Sequence, residues 1–181
     1  MYNPFPFDDP KPINRPKLSE KTINSIVAGG TPNVAKKFVA QIADRAKAEG
    51  MIVGIDGYTT ANWNLFVNLV ARECVINGLE LEVVDAAKAV LKSGKEIDDM
   101  IDPLLIWDTK IDPTLLYGKL YHGGYIGLFD QAKMEQFRKD VPAMKAPGKL
   151  IVVAGYGCMT AELRDLYDIK CWFDITPMKT M

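Results

Sequence analysis

The sequence predicts an α/β fold in which a parallel sheet lies between two layers of helices. Short continuous apolar runs, typical of strands covered on both faces, alternate with segments whose apolar residues recur at helical spacing. Such alternation favours parallel strands joined by helical crossovers. The 181 residues are 48% hydrophobic, which suits one domain with a sizeable core.

Residues 1–18 differ in composition from the rest of the chain. This segment contains five prolines: Pro4, Pro6, Pro10, Pro12 and Pro16. Proline at that density blocks helix formation, so we expect an extended arm ahead of a single domain at residues 19–181. Phe5 and Phe7 could pack on the domain itself or on a partner, including a second copy, and the sequence does not choose between these.

The first half of the domain follows a regular order. We expect a helix between Ser19 and Gly29, and a second from Thr31 to Gly50 with Pro32 in its first turn. The spacing of the apolar residues changes after Gly50. The predicted order is then a strand at 51–55, a helix at 60–77, a strand at 79–84 and a short helix at 86–91.

The second half begins irregularly. Residues 95–130 mix glycine, proline and aromatic residues, and Leu104–Trp107 is either a strand or an apolar turn. The remaining predicted elements are a helix at 131–139, a strand at 149–154, a helix at 160–167 and a strand at 169–173.

Ligands of such sheets bind at the carboxyl ends of the strands. The residues predicted to lie there are 56–64, Asp85, 154–158 including Gly155, and 174–176 beginning with Asp174. Asp56 and Asp85 could serve as a base and a metal ligand, or could cap helices and solvate loops.

The segment after the first strand has the frame of a phosphate-binding loop without its chemistry. That loop reads G-x-x-x-x-G-K-[ST] between a strand and a helix. Gly57 stands at the first glycine, but Asn62, Trp63 and Asn64 occupy the places of the second glycine, the lysine and the hydroxyl residue.

Two blocks resemble the P-loop kinases of the uridine kinase and phosphoribulokinase group. They are IVGIDGYTTANWNLFVNLVARE and PGKLIVVAGYGCMTAELRDLYDIKCWFDITP, together about a third of the chain. The resemblance implies a nucleoside kinase-like fold of the P-loop NTPase class and a nucleotide with Mg²⁺ as cofactor. It implies a phosphate site at Gly57 and at the backbone amides of Thr59, Thr60, Ala61, Asn62, Trp63 and Asn64, with Asp85 as the base.

This chain departs from the family at the residues that carry charge and metal. Trp63 replaces the lysine, Asn64 replaces the Mg²⁺-binding hydroxyl, and Ala154 replaces the acid before the glycine turn. Lys119 or Arg138 could supply the lost positive charge, although a solvated role is the simpler interpretation for both.

A narrower resemblance is to the kinase-like domain fused to some bacterial type I mannose-6-phosphate isomerases. The matching motifs are Ile111-Asp-Pro113, Tyr117-Gly-Lys119 and Leu128-Phe-Asp130. This resemblance implies a role in carbohydrate or nucleotide metabolism, and a chain that is one domain of a longer protein.

Three functions therefore stay open. The first is a degenerate kinase-like domain that binds a nucleotide or phosphosugar and is catalytically impaired. The second is an active phosphotransferase that uses Asp85 as its base, and the third is an assembly module that docks through its proline-rich arm.

Composition argues against a nucleic-acid-binding, membrane, secreted or metal-binding protein. The formal net charge of −1 gives no field that would attract nucleic acid or an anionic membrane. We found no apolar run of about 20 residues and no secretory signal, and therefore expect a cytoplasmic protein. The cysteines Cys74, Cys158 and Cys171 lack metal-site spacing, and the single histidine, His122, excludes a histidine cluster, so no metal site is predicted.

Overall fold

A four-stranded parallel sheet organises the protein, as seen in a computed structural model that describes residues 19–21, 30–58, 61–114 and 117–174. In chain order the strands are β1 (Met51–Gly57), β2 (Glu80–Asp85), β3 (Lys149–Ala154) and β4 (Ile169–Phe173). Their order across the sheet is β2-β3-β1-β4, and all three pairings are parallel. The predicted parallel α/β architecture is therefore confirmed.

Five α-helices lie wholly within the described residues. They are α1 (Thr31–Glu49), α2 (Trp63–Ile76), α3 (Ala86–Val90), α4 (Gly94–Ile101) and α5 (Gln131–Ala143). Short 3-10 turns occupy Asp102–Leu104, Tyr125–Leu128 and Arg164–Leu166. None of these helices is long and apolar enough to cross a membrane.

The core lies on both faces of the sheet because alternate residues of β1 and β3 point in opposite directions. On one face, Val53 and Val152 pack with buried residues of α1 and α2. On the other, Ile52 and Ile151 pack with α3, α5 and the segment before β4. The chain therefore leaves β1 toward one face, and leaves β2 and β3 toward the other.

The predicted helix at 160–167 is wrong. Residues 155–168 form turns, and Leu163 and Leu166 each donate to the carbonyl three residues earlier. This connection must return along the sheet, a strand length of about 20 Å, while an eight-residue α-helix spans only about 12 Å. The apolar spacing was informative nonetheless, since Leu163 and Tyr167 are buried.

Residues 91–107 contain a helix that was not predicted and a segment that had two alternatives. Helix α4 was not predicted, although Ser93 and Glu96 form a capping box in which each side chain accepts from the other residue's amide. Of the two alternatives for Leu104–Trp107, the turn is the one observed, since a 3-10 turn ends at Leu104 and an isolated bridge joins Leu105 to Gly118. The arm at 1–18 and most of the helix predicted at 19–29 lie outside the described residues.

Asp168 joins the turn segment to β1 and to Lys145, which follows α5. Its carboxylate accepts from Ile52 N at 2.8 Å and from Lys145 Nζ at 3.0 Å. Burial opposes ionisation, but the Ile52 hydrogen bond and the Lys145 charge outweigh it and hold the pKa of Asp168 below its ordinary value.

Asp168→Asn should lower the free energy of unfolding at neutral pH by about 1–3 kcal/mol, because a charged hydrogen-bond acceptor is lost. A carboxyl whose pKa is lower in the folded state stabilises above its unfolded pKa of about 3.8, and loses that effect as pH falls through the folded value. In urea denaturation, the difference in free energy of unfolding between wild type and variant should therefore be smaller at pH 3 than at pH 7. The exposed Asp99→Asn is the control, and equal stability of Asp168→Asn and wild type at pH 7 would refute the assignment.

Candidate functional site

A large crevice lies where the chain leaves neighbouring strands toward opposite faces of the sheet. Such a divergence, here after β1 and β3, opens a space above the carboxyl ends of the strands. The crevice has a volume of about 710 Å³ and is lined by Ala61, Asn62, Trp63, Asn64, Val83, Val84, Asp85, Ala87, Ala154, Gly155 and Tyr156. The structure therefore brings the predicted loop residues 61–64 together with Asp85 and Gly155.

Backbone amides around the predicted phosphate loop already have acceptors. Gly57 N donates to Asp56 Oδ1 at 2.8 Å, and Tyr58 N donates to Phe173 O at 2.9 Å. Ala61 N donates to Tyr58 O, and the Asn62 side chain accepts from Leu65 N as the N-cap of α2. An amide used in this way cannot also donate fully to a phosphate, so the Ala61 amide, one of those predicted to bind phosphate, is already engaged.

The charge of the crevice is also unusual for a phosphate site. Asp85 is the one ionisable carboxylate among the lining residues, and none of them is lysine or arginine. Trp63, at the lysine position, packs edge-on against Tyr156 with ring centroids 4.9 Å apart. The wall formed by the start of α2 is therefore aromatic and amide-bearing rather than cationic.

Asp85 lies at the end of β2 and performs the capping role that was one of its two predicted interpretations. Its Oδ1 accepts from Lys88 N at 3.1 Å as the N-cap of α3, and its Oδ2 lies 3.7 Å from Lys88 Nζ. The side chain is half exposed, so this ion pair contributes little to stability.

The residues at the position where P-loop kinases hold Mg²⁺ do not fit that ion. This ion takes oxygen ligands, usually carboxylates together with substrate phosphate, whereas Ala154 has no ligand atom and Asn64 has only a neutral amide. The described residues contain no group of three or more histidine, cysteine, aspartate or glutamate side chains suited to a metal ion. No step of the chemistry is therefore assigned to a metal.

Asp56 lies on the other side of Tyr156, in a second and smaller cavity, hereafter the Asp56 pocket. It has a volume of about 310 Å³ and is lined by Asp56, Gly57, Tyr125, Tyr156, Gly157, Met159, Thr160 and Trp172. Asp56 is only 7% exposed, and its two oxygens accept from Gly57 N and Met159 N. The sequence placed Asp56 at the strand end, but nothing in its pattern indicated Tyr125 or Trp172.

Gly57 and Gly155 are explained by packing. A Cβ at Gly57 would lie 2.3 Å from Phe173 O, so glycine lets β1 approach β4. Gly155 has φ +139°, a conformation that side chains rarely adopt, and a Cβ there would lie 3.2 Å from the amide of Ala87.

The other predicted residues lie away from the crevice. Lys119 is in the exposed loop that pairs with Leu104, and Arg138 on α5 donates to the carbonyl of Glu162. Neither lines the crevice or the Asp56 pocket. Asp174 follows β4 at an exposed position, and Thr59 and Thr60 lie outside the described residues.

The cysteines are not suited to nucleophilic chemistry. Burial raises the pKa of Cys74 and that of Cys158 to about 11, so both thiols are protonated at neutral pH. Cys171 is partly buried, and its pKa is also raised by burial.

Fold and site together define a parallel α/β domain with a crevice above the carboxyl ends of its strands. The chain belongs to the family described as a domain of unknown function (DUF8485), whose model matches residues 35–180. A search of curated proteins gives no match to the chain.

Gly57→Ala should destabilise the protein by about 1–3 kcal/mol without any ligand, because the added methyl would meet the backbone of β4. Gly94→Ala, where a Cβ meets nothing within 4 Å, is the matched control. Thermal unfolding of both variants without ligand measures the effect. An unchanged melting temperature for Gly57→Ala would remove the packing explanation.

Proposed function

We propose that this chain is a degenerate P-loop kinase-like domain that binds a nucleotide or phosphosugar in the crevice and is impaired in phosphoryl transfer. The observation that carries the proposal is the position of Trp63, which lies in the crevice at the first turn of α2, where a P-loop has its lysine. The order of strand, loop and helix and the position of the crevice are consistent with a P-loop kinase. The cationic groups needed for phosphoryl transfer are absent from the lining residues.

Impairment follows from electrostatics. Phosphoryl transfer depends almost entirely on positioning and on positive charge around the transferred group. The lining residues of the crevice include no lysine or arginine, and Lys88, which lies 3.7 Å from Asp85, is already paired with that carboxylate. The crevice therefore supplies no free positive charge to the transferred group. Loss of such stabilisation costs several kcal/mol of activation free energy, by analogy with the removal of oxyanion-hole donors.

Binding would use the uncharged part of the ligand. Trp63 and Tyr156 offer aromatic surface on which a base or the apolar face of a sugar can stack. Asn62 and Asn64 bring side-chain amides to the same wall, and the Asp85 carboxylate can accept from a ribose or sugar hydroxyl. The ligand would therefore be a nucleotide or phosphosugar whose phosphate projects away from Asp85.

Calorimetry with matched ligand pairs tests this proposal. We expect ATP, GTP, UTP or mannose 6-phosphate to bind, and the corresponding nucleoside or free mannose to bind within about threefold of the same affinity, a difference under 1 kcal/mol. Heat absent for every ligand at millimolar concentration, with folded protein, would exclude the proposal.

Trp63→Lys should restore a phosphate-binding cation. The affinity for the phosphorylated member of a pair should rise by about tenfold relative to its unphosphorylated counterpart, which corresponds to one charge-assisted hydrogen bond. Trp107→Lys, in a loop residue that is 57% exposed, adds the same charge away from the crevice. A similar gain in both variants would indicate a general charge effect and would count against a phosphate subsite at α2.

The phosphotransferase alternative rests on one observation, the position of Asp85 in the crevice wall. Asp85→Asn removes the carboxylate yet keeps a good N-cap for α3, so folding should be preserved. We expect no phosphate release from ATP by either wild type or variant. Turnover by wild type that is lost in Asp85→Asn would establish the alternative instead.

An association with carbohydrate or nucleotide metabolism is part of the same proposal. It rests on the resemblance of residues 111–130 to the kinase-like domain fused to mannose-6-phosphate isomerases. Preference for mannose 6-phosphate over the three nucleotides in the same titrations would support it.

A further inference from the structure

Asp56 is a buried carboxylate without a cationic partner in the described residues. Both of its oxygens accept a backbone amide, at 2.8 Å from Gly57 N and 3.0 Å from Met159 N. None of the ion pairs among the described residues involves Asp56. An ionised carboxylate has about four lone-pair positions, so two backbone bonds leave capacity for a further donor.

The walls of the Asp56 pocket are chiefly aromatic. Tyr125, Tyr156 and Trp172 contribute rings, and Met159 contributes a polarisable thioether. Trp172 is 63% exposed and lies on the edge strand β4, opposite Asp56 of β1. Aromatic faces attract cations through their quadrupole, and clustered rings are the usual site for ammonium groups.

The phenol of Tyr125 stays protonated beside this carboxylate. Burial, and then the negative charge of Asp56, raise the pKa of Tyr125 above its ordinary value. The ring therefore adds no anionic charge of its own to the pocket.

We infer that the Asp56 pocket binds a small organic cation, a protonated amine or a quaternary ammonium group, held by the Asp56 carboxylate and the rings of Tyr125, Tyr156 and Trp172. A volume of about 310 Å³ admits such a group but only a small ligand. A metal ion fits less well, since Asp56 is the one carboxylate of the lining and no cluster of metal ligands occurs in the described residues.

This site is separate from the crevice, although Tyr156 lines both cavities. Its chemistry is opposite to that of a phosphate site, because the buried charge is negative and the lining has no lysine or arginine. The inference does not depend on the proposed function, since it stands even if the crevice binds neither nucleotide nor phosphosugar.

Titration with choline, and with its neutral isostere 3,3-dimethyl-1-butanol, tests the inference by calorimetry at constant ionic strength. We expect saturable binding of choline at millimolar concentration and at least about tenfold weaker binding of the alcohol, because only the cation gains from the carboxylate and the rings. Propylammonium in place of choline tests the protonated amine. Failure of both cations to bind folded protein, or equal binding of the alcohol, would overturn the inference.

Two variants locate the site. Asp56→Asn should weaken choline binding by about tenfold or more, whereas Asp112→Asn, a second buried aspartate that lines neither cavity, should not. Trp172→Ala should also weaken binding, with the exposed Trp107→Ala as its control. If Asp56→Asn does not fold, the comparison of Trp172→Ala with Trp107→Ala and the comparison of choline with its neutral isostere still test the inference. Choline binding unaffected by Trp172→Ala would refute the assignment.

Discussion

The fold depends on the close approach of the central strand to its surroundings. Every residue of β1 is buried, because β3 and β4 flank it and helices or turns cover both faces. Gly54 leaves space for the ring of Tyr167, whose Cδ2 would lie 2.3 Å from an added Cβ, and Gly57 does the same for the backbone of β4. Side chains at these positions would separate the layers, so the two glycines set the geometry at which the sheet closes.

That geometry also positions both cavities. Since β1 ends against β4, the chain turns at Tyr58 and enters α2 on one face, while the turn after β3 crosses on the other. Tyr156 lies between these two exits and lines the crevice on one side and the Asp56 pocket on the other. Neither lining has lysine or arginine, which makes this edge of the sheet more suited to neutral or cationic groups than to isolated phosphate.

The sequence predicted the elements whose apolar residues form a short run or recur at helical spacing. The strand predicted at 169–173 and the helix beginning at Thr31 agree with the structure. The helix at 160–167 was wrong because the length of the return to β4 is a property of the whole sheet, which local spacing does not record. The crevice residues 61–64, Asp85 and Gly155 followed from strand ends, whereas Tyr125 and Trp172 meet at the Asp56 pocket only through tertiary packing.

A loop can keep its backbone conformation without its phosphate-binding residues when acceptors in the same chain bond its amides. Around the phosphate-loop position, the amides of Gly57, Tyr58, Ala61 and Leu65 donate to acceptors within the protein. These acceptors are Asp56, Phe173, Tyr58 and Asn62, respectively. Trp63, at the position where a P-loop has its lysine, packs partly against the core and so contributes to the fold without a ligand. Under the proposed function, the loss of phosphate binding and the capping of α2 by Asn62 are one change. An amide that already donates to an acceptor within the protein does not require a phosphate.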